Sequence, residues 1–137
     1  MSERKLRVLL VDDEPSIIKT VGKRLELEGF EVLVATDGEE ALAKAQTGHP
    51  DAIVLDLMLP KLSGFDVCAK LKQDQQSTDI PIITVFSGKA SPEDATRCRQ
   101  LGAAAYVPKG KGAAPLVEQL RLLFRQLESS KPDEHLG

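Results

Sequence analysis

Apolar residues fall into five short runs that stop abruptly at polar residues, and between the runs the apolar spacing turns helical. Residues 5–11 (KLRVLLV) form a run rich in Val and Leu that ends at Asp12, the pattern of a strand buried on both faces. Over 15–28, Ile17, Ile18, Val21 and Leu25 recur at helical spacing, with Pro15 suited to the first turn and Gly29 to the stop. Residues 31–35 (EVLVA) predict a second strand and 37–47 a helix with Ala41, Leu42 and Ala45 inward, broken by Gly48-His49-Pro50, where His49 reads as a turn residue. Residues 52–55 (AIVL) run straight into Asp56, and after Gly64 a helix carries Phe65, Cys68 and Leu71 on one face. Residues 80–86 predict strand four. Ser91 then predicts an N-cap, with Pro92, Glu93 and Asp94 in the first turn of a helix that ends at Gly102. Residues 103–107 predict strand five and 115–127 the last helix, beyond which ESSKPDEHLG has no periodicity.

Five strand–helix units require crossover connections between parallel neighbours, and those are right-handed. The fold class predicted is doubly wound α/β: a five-stranded parallel sheet with helices on both faces. The domain is expected over 5–127, with 128–137 a polar tail or linker. At 137 residues the chain has room for one domain, and 42% hydrophobic with 28% charged residues excludes wholesale disorder or a disulfide scaffold. The net charge of −3 and the scattered Lys and Arg give no footprint for nucleic acid, so no direct nucleic-acid partner is expected. No apolar run approaches the roughly 20 residues of a membrane span, and no leader pattern precedes strand one, so the expected location is the cytoplasm, without membrane association. Cys68 and Cys98 lie in different helices with no C-x-x-C pattern, which predicts buried free thiols.

In an open parallel sheet the ligand site lies beyond the carboxyl ends of the strands. The residues there are Asp12 and Asp13 after strand one, Asp56 after strand three, Ser87 after strand four and Lys109 after strand five. Three carboxylates brought together repel unless a cation sits between them. Magnesium suits this set, because it takes hard oxygen ligands and keeps several waters, whereas calcium wants more ligands. A hydroxyl and an ammonium facing the metal are donors suited to the equatorial oxygens of a transferring phosphoryl group.

This ordered set resembles the receiver domain of bacterial two-component response regulators. The resemblance covers about residues 5 to 127 and rests on VDDE (11–14), IVLDLMLPKLSG (53–64), FSGK (86–89) and GAAAYVPKG (102–110). It implies the CheY-like, flavodoxin-like strand order 2-1-3-4-5. It further implies that Asp56 is the phosphoacceptor, taking a phosphoryl group from the phosphohistidine of a sensor kinase or a phosphotransfer protein. Asp13 binds magnesium by this resemblance, with Asp12 in support and the backbone carbonyl of Met58 completing the set. Ser87 and Lys109 contact the phosphoryl group, and Tyr106 is the aromatic switch that turns inward as Ser87 moves. The output is protein contact through the face of helix four, strand five and helix five, with homodimerisation on phosphorylation open. The chain then catalyses only its own phosphorylation and dephosphorylation and is no turnover enzyme.

Three departures from the family pattern stand out. Gly110 follows Lys109 where many receivers have proline. Strand four looks one residue long, which makes Thr84 a rival to Ser87; the small Gly88 and the spacings to Gly102 and Lys109 favour Ser87. Met58 and Lys89 stand two residues after Asp56 and Ser87, and an apolar Met58 cannot orient a hydrolytic water, so slow self-dephosphorylation is expected. Asp12 and Asp13 could instead cap the first helix, Tyr106 could be a static aromatic, and Gly110-Lys111-Gly112 could be an anion nest or simply a flexible loop. Competing functions are a receiver that binds partners without phosphorylation, a fragment of a longer regulator, and a haloacid-dehalogenase-type phosphatase. The last needs an Asp two after the nucleophile, where Met58 stands, and a Rossmann site lacks its G-x-G-x-x-G.

Overall fold

The computed structural model describes residues 5–73, 82–88 and 91–130. Strands β1 (Arg7–Val11), β2 (Glu31–Ala35), β3 (Ala52–Leu55), β4 (Ile82–Ser87) and β5 (Ala105–Pro108) form one sheet. All neighbours are parallel, in the order β2-β1-β3-β4-β5. Helices α1 (Pro15–Leu27), α2 (Gly38–Thr47), α3 (Gly64–Gln73), α4 (Pro92–Gln100) and α5 (Ala114–Ser130) supply the crossovers.

The continuous apolar runs are explained by two cores, one on each face. Within β1, Val8 and Leu10 join Val54 of β3, Val21 and Leu25 of α1 and Leu116, Leu120 and Phe124 of α5. Their neighbours Leu9 and Val11 join Ile53 and Leu55 of β3, Ala41 of α2, Val67 and Cys68 of α3 and Cys98 of α4. Successive side chains of a strand point to opposite faces, so a strand covered on both sides must be apolar throughout. Both cysteines are buried free thiols, and burial, followed by the nearby Cys98, pushes the Cys68 thiol up to about 12.

The helix boundaries follow from capping chemistry. α1 and α4 both end in a Schellman motif: Phe30 and Gly29 donate to the carbonyls of Leu25 and Glu26, and Ala103 and Gly102 to those of Cys98 and Arg99. Gly29 and Gly102 sit at φ of 98° and 108°, where a side chain is strained. The second motif uses Ala103 in the turn, which is why β5 starts at Ala105 and not at 103. Ser91 and Asp94 form a capping box on α4, and the Asp37 side chain caps α2, so that helix starts at Gly38. His49 takes the turn with φ 49°. α5 runs to Ser130, three residues past the last apolar residue of its repeat, because Glu and Ser can continue a helix where no apolar residue recurs. Lys109–Lys111 form a single 3-10 turn in place of an irregular loop. The expected start of strand four at 80, the side group Lys89 and the tail over 131–137 lie outside the described residues.

Candidate functional site

From β1 the chain crosses to β2 on one side and then returns past β1 to β3, so the order of strands reverses between β1 and β3. Ligand crevices of open α/β sheets form at such a reversal, beyond the carboxyl ends. Val11 and Leu55 are register partners, and each is followed directly by an aspartate. Backbone bonds hold both in place: the Asp12 N–H donates to the Ala35 carbonyl (3.1 Å) and the Asp56 N–H to the Val11 carbonyl (3.1 Å).

Asp12 and Asp56 are buried at 1% and 4% exposure, while Asp13 is exposed. Each of the three offers a carboxylate oxygen, and these oxygens all lie within 4.8 Å of one another. Such a cluster of hard oxygen ligands fits a divalent cation. Both oxygens of Asp56 are also held by neighbours. Oδ1 accepts from Ser87 Oγ (3.1 Å) and the Met58 N–H (3.2 Å), and Oδ2 accepts from Lys109 Nζ (2.9 Å). Behind the loop, Gly64 packs so closely that a Cβ there would stand 2.7 Å from Leu57 Cα, and its N–H donates to the Leu57 carbonyl (2.9 Å). That close approach fixes the backbone directly after Asp56.

Lys109 reaches back from the end of β5 to bind Asp12 Oδ2 at 2.7 Å and Glu14 Oε1 at 3.2 Å in addition to Asp56. Burial opposes its charge, but the bonds to Asp12 and Asp56 outweigh that and hold the ammonium above its ordinary pKa. Asp12 is pushed above the usual carboxylate range, first by burial and further by Asp56, with Lys109 and the Glu14 N–H pulling the other way. Tyr106 is half-buried, and its hydroxyl donates to the Ser87 carbonyl at 3.3 Å, which links the aromatic to the residue that holds Asp56.

The five strand-end residues therefore meet as expected, and two open choices close. Thr84 is fully buried in the middle of β4, between Val54 and Ala105, and shares its sheet face with Phe86 in the α1/α5 core. Its hydroxyl has no partner among the described residues and does not reach Asp56. Asp12 and Asp13 do not cap α1 by side chain; the N-cap is Glu14, and among the described residues Asp12 Oδ1 accepts from the Glu14 N–H, at 3.0 Å. The residue that sequence reasoning passed over is Glu14 as a partner of Lys109. Its one signal is its place in VDDE, between the two aspartates and the helix-starting Pro15.

A family model described as the response regulator receiver domain matches residues 8–121. The chain belongs to this family. The receiver is 38% identical over 130 residues to the alkaline phosphatase synthesis transcriptional regulatory protein PhoP of Bacillus subtilis, a match covering 95% of this chain and 53% of that protein. It is 35% identical over 122 residues to the DNA-binding dual master transcriptional regulator RpaA of Synechocystis, covering 89% of this chain and 50% of that one. Its fold matches the crystal structure of a CheY-like response regulator receiver domain protein from Methanospirillum hungatei with a TM-score of 0.85 at 26% identity, over 93% of this chain and 100% of that one. The receiver thus spans about half the length of the curated relatives it matches. Their names are those of transcriptional regulators, so the expectation that nucleic acid plays no part finds no support among them. Among the described residues no helix is long and apolar enough to cross a membrane.

Proposed function

We propose that this receiver is a phosphorylation-controlled switch of a two-component system, with Asp56 as phosphoacceptor. The observation that carries this reading is the state of the Asp56 carboxylate. It is buried at a strand end, held by a hydroxyl on one oxygen and an ammonium on the other, beside two acids close enough to share a cation. Asp56 forms the new oxygen–phosphorus bond as the phosphorus–nitrogen bond of a kinase or phosphotransfer-protein phosphohistidine breaks, and the departing imidazole takes a proton. Asp12, Asp13, Asp56 and the Met58 carbonyl would hold Mg2+, which supplies charge neutralisation for the incoming phosphoryl oxygens. Ser87 and Lys109 hold the remaining oxygens, as a hydroxyl donor and a positive charge.

Once Ser87 bonds the phosphoryl group its backbone is drawn with it, and the Tyr106 hydroxyl follows because it is tied to the Ser87 carbonyl. The signal then leaves through α4, β5 and α5 to a protein target or to a second copy of the chain. The receiver acts in the cytoplasm and turns over no external substrate. Met58, 74% exposed and apolar, gives a hydrolytic water nothing to bind, which favours a long-lived phosphoprotein. The half-length match to transcriptional regulators favours one extension of this reading, in which the switch controls a DNA-binding domain carried elsewhere in a longer chain. Intact-protein mass after incubation with acetyl phosphate tests the proposal. A gain of one phosphoryl group that needs magnesium and is lost in Asp56→Asn is the expected result, and no gain in the folded wild type overturns it.

A further inference from the structure

An ammonium has three N–H donors, and those of Lys109 are matched by three carboxylates: Asp12 Oδ2 at 2.7 Å, Asp56 Oδ2 at 2.9 Å and Glu14 Oε1 at 3.2 Å. The three partners are not equivalent. Asp12 and Asp56 are buried and tied by backbone bonds, with side-chain exposures of 1% and 5%. Glu14 is the longest of the three bonds, its side chain is 57% exposed, and it stands outside the Asp12–Asp13–Asp56 cluster. Glu14 is also the N-cap residue of α1 but makes no capping bond with its side chain, so its carboxylate is free of duty to the helix.

An anion arriving at Asp56 can gain a bond from Lys109 only if one carboxylate lets go, and the exposed, longest-bonded one yields at least cost. We propose that Glu14 is a place-holder: its carboxylate occupies the Lys109 donor that the incoming phosphoryl oxygen must take, and so sets how readily the site accepts an anionic donor. This rests on the phosphoacceptor reading of Asp56. Glu14 acts through Lys109 and is a positioning residue.

The test compares wild type with Glu14→Gln, which keeps the side chain's length and removes its charge. The rate of phosphorylation by acetyl phosphate is measured against donor concentration at saturating magnesium, together with titration by beryllofluoride, an unreactive phosphoryl mimic, followed by the Gly88 amide signal. The donor concentration for half-maximal rate and the beryllofluoride midpoint both fall about two- to fivefold in Glu14→Gln, the scale expected for one exposed charge. Raising salt shrinks the difference, because an exposed carboxylate is screened while a packing effect is not. Equal or higher midpoints in Glu14→Gln, or a difference indifferent to salt, overturn the place-holder while leaving Asp56 as phosphoacceptor. A wild type that takes up neither donor nor mimic removes the phosphoacceptor reading and this inference with it.

Discussion

The two ends of the sheet carry similar residue types and use them in opposite ways. At the amino ends of the strands Glu28, Glu31 and Asp51 each have a cation or a backbone donor of their own. Arg7 Nε lies 3.2 Å from Glu31 Oε2, the Arg7 guanidinium also donates to the Gly48 carbonyl, and the Arg7 N–H donates to Asp51 Oδ2 at 2.7 Å. Glu28 sits between Arg24 at 2.9 Å and Arg121 at 2.8 Å, and these bonds, that from Arg121 first, hold its carboxyl below the usual range. Beyond β1, β3 and β5 at the carboxyl end, Asp12, Glu14 and Asp56 share Lys109 with Asp13 beside the two buried aspartates, and Asp12 is raised instead of lowered. One end is neutralised and closed. The other keeps surplus negative charge and unspent acceptors, which is the condition for binding a cation and then an anion upon it.

Removing the ammonium that binds Asp12 and Asp56 would strain this contrast most. Lys109→Met leaves Asp12 and Asp56 buried without their ammonium, and about 3 kcal/mol of unfolding free energy is expected to be lost in metal-free buffer, read from the urea midpoint. A loss below about 1 kcal/mol would mean that the two acids relax or take up protons at little cost. Next in size is Arg7→Ala at the closed end, with a loss of about 1 kcal/mol, since solvent can reach the stranded Glu31. Phosphorylation by acetyl phosphate should be unchanged there, and a change would show that the two ends are coupled through β1.

The smallest effect has the opposite sign. Burial lifts Asp12 above its ordinary 3.8, so between that value and the raised one the folded chain holds this proton more tightly than the unfolded chain. The favourable contribution of the protonated group is complete below pH 3.8 and is lost as pH rises through the raised folded value. Asp12→Asn should therefore stabilise the metal-free protein at pH 7, by under about 1 kcal/mol, with the gain fading on acidification. Chemical denaturation at pH 7 and pH 4 checks this, and a mutant less stable at pH 7 would place the Lys109 pair ahead of burial.

Most elements could be read from local pattern, for reasons that differ by element. β2 and β3 appear at their expected bounds because each apolar run stops where polar residues follow, Thr36 and Asp37 after β2 and Asp56 after β3. The Ser91 cap and the Gly29 and Gly102 stops are local hydrogen-bond chemistry, complete within a few residues. β5 starts two residues after the 103 its pattern predicts, because Ala103 suits a strand and a Schellman turn equally and the Cys98 carbonyl draws it into the turn. The apolar repeat of α5 stops at Leu127 while the helix runs to Ser130, because periodicity marks only where apolar residues recur and Glu128, Ser129 and Ser130 are polar.

The site divides along the same line. Asp12, Asp13, Asp56, Ser87 and Lys109 were legible because parallel topology turns a one-dimensional fact, the residue after each strand, into a shared location. The sequence alone thus determined the strand–helix order, the doubly wound class and the shared location of Asp12, Asp13, Asp56 and Lys109. Only the tertiary structure decided between Ser87 and Thr84, since the answer depends on which sheet face a residue takes once β4 is set in register with β3 and β5. It alone showed Glu14 on Lys109, 95 residues apart in the chain. The physical reason is that strand and helix formation is governed by near neighbours. How an ammonium shares its three donors depends on where every nearby carboxylate stands after the sheet has closed.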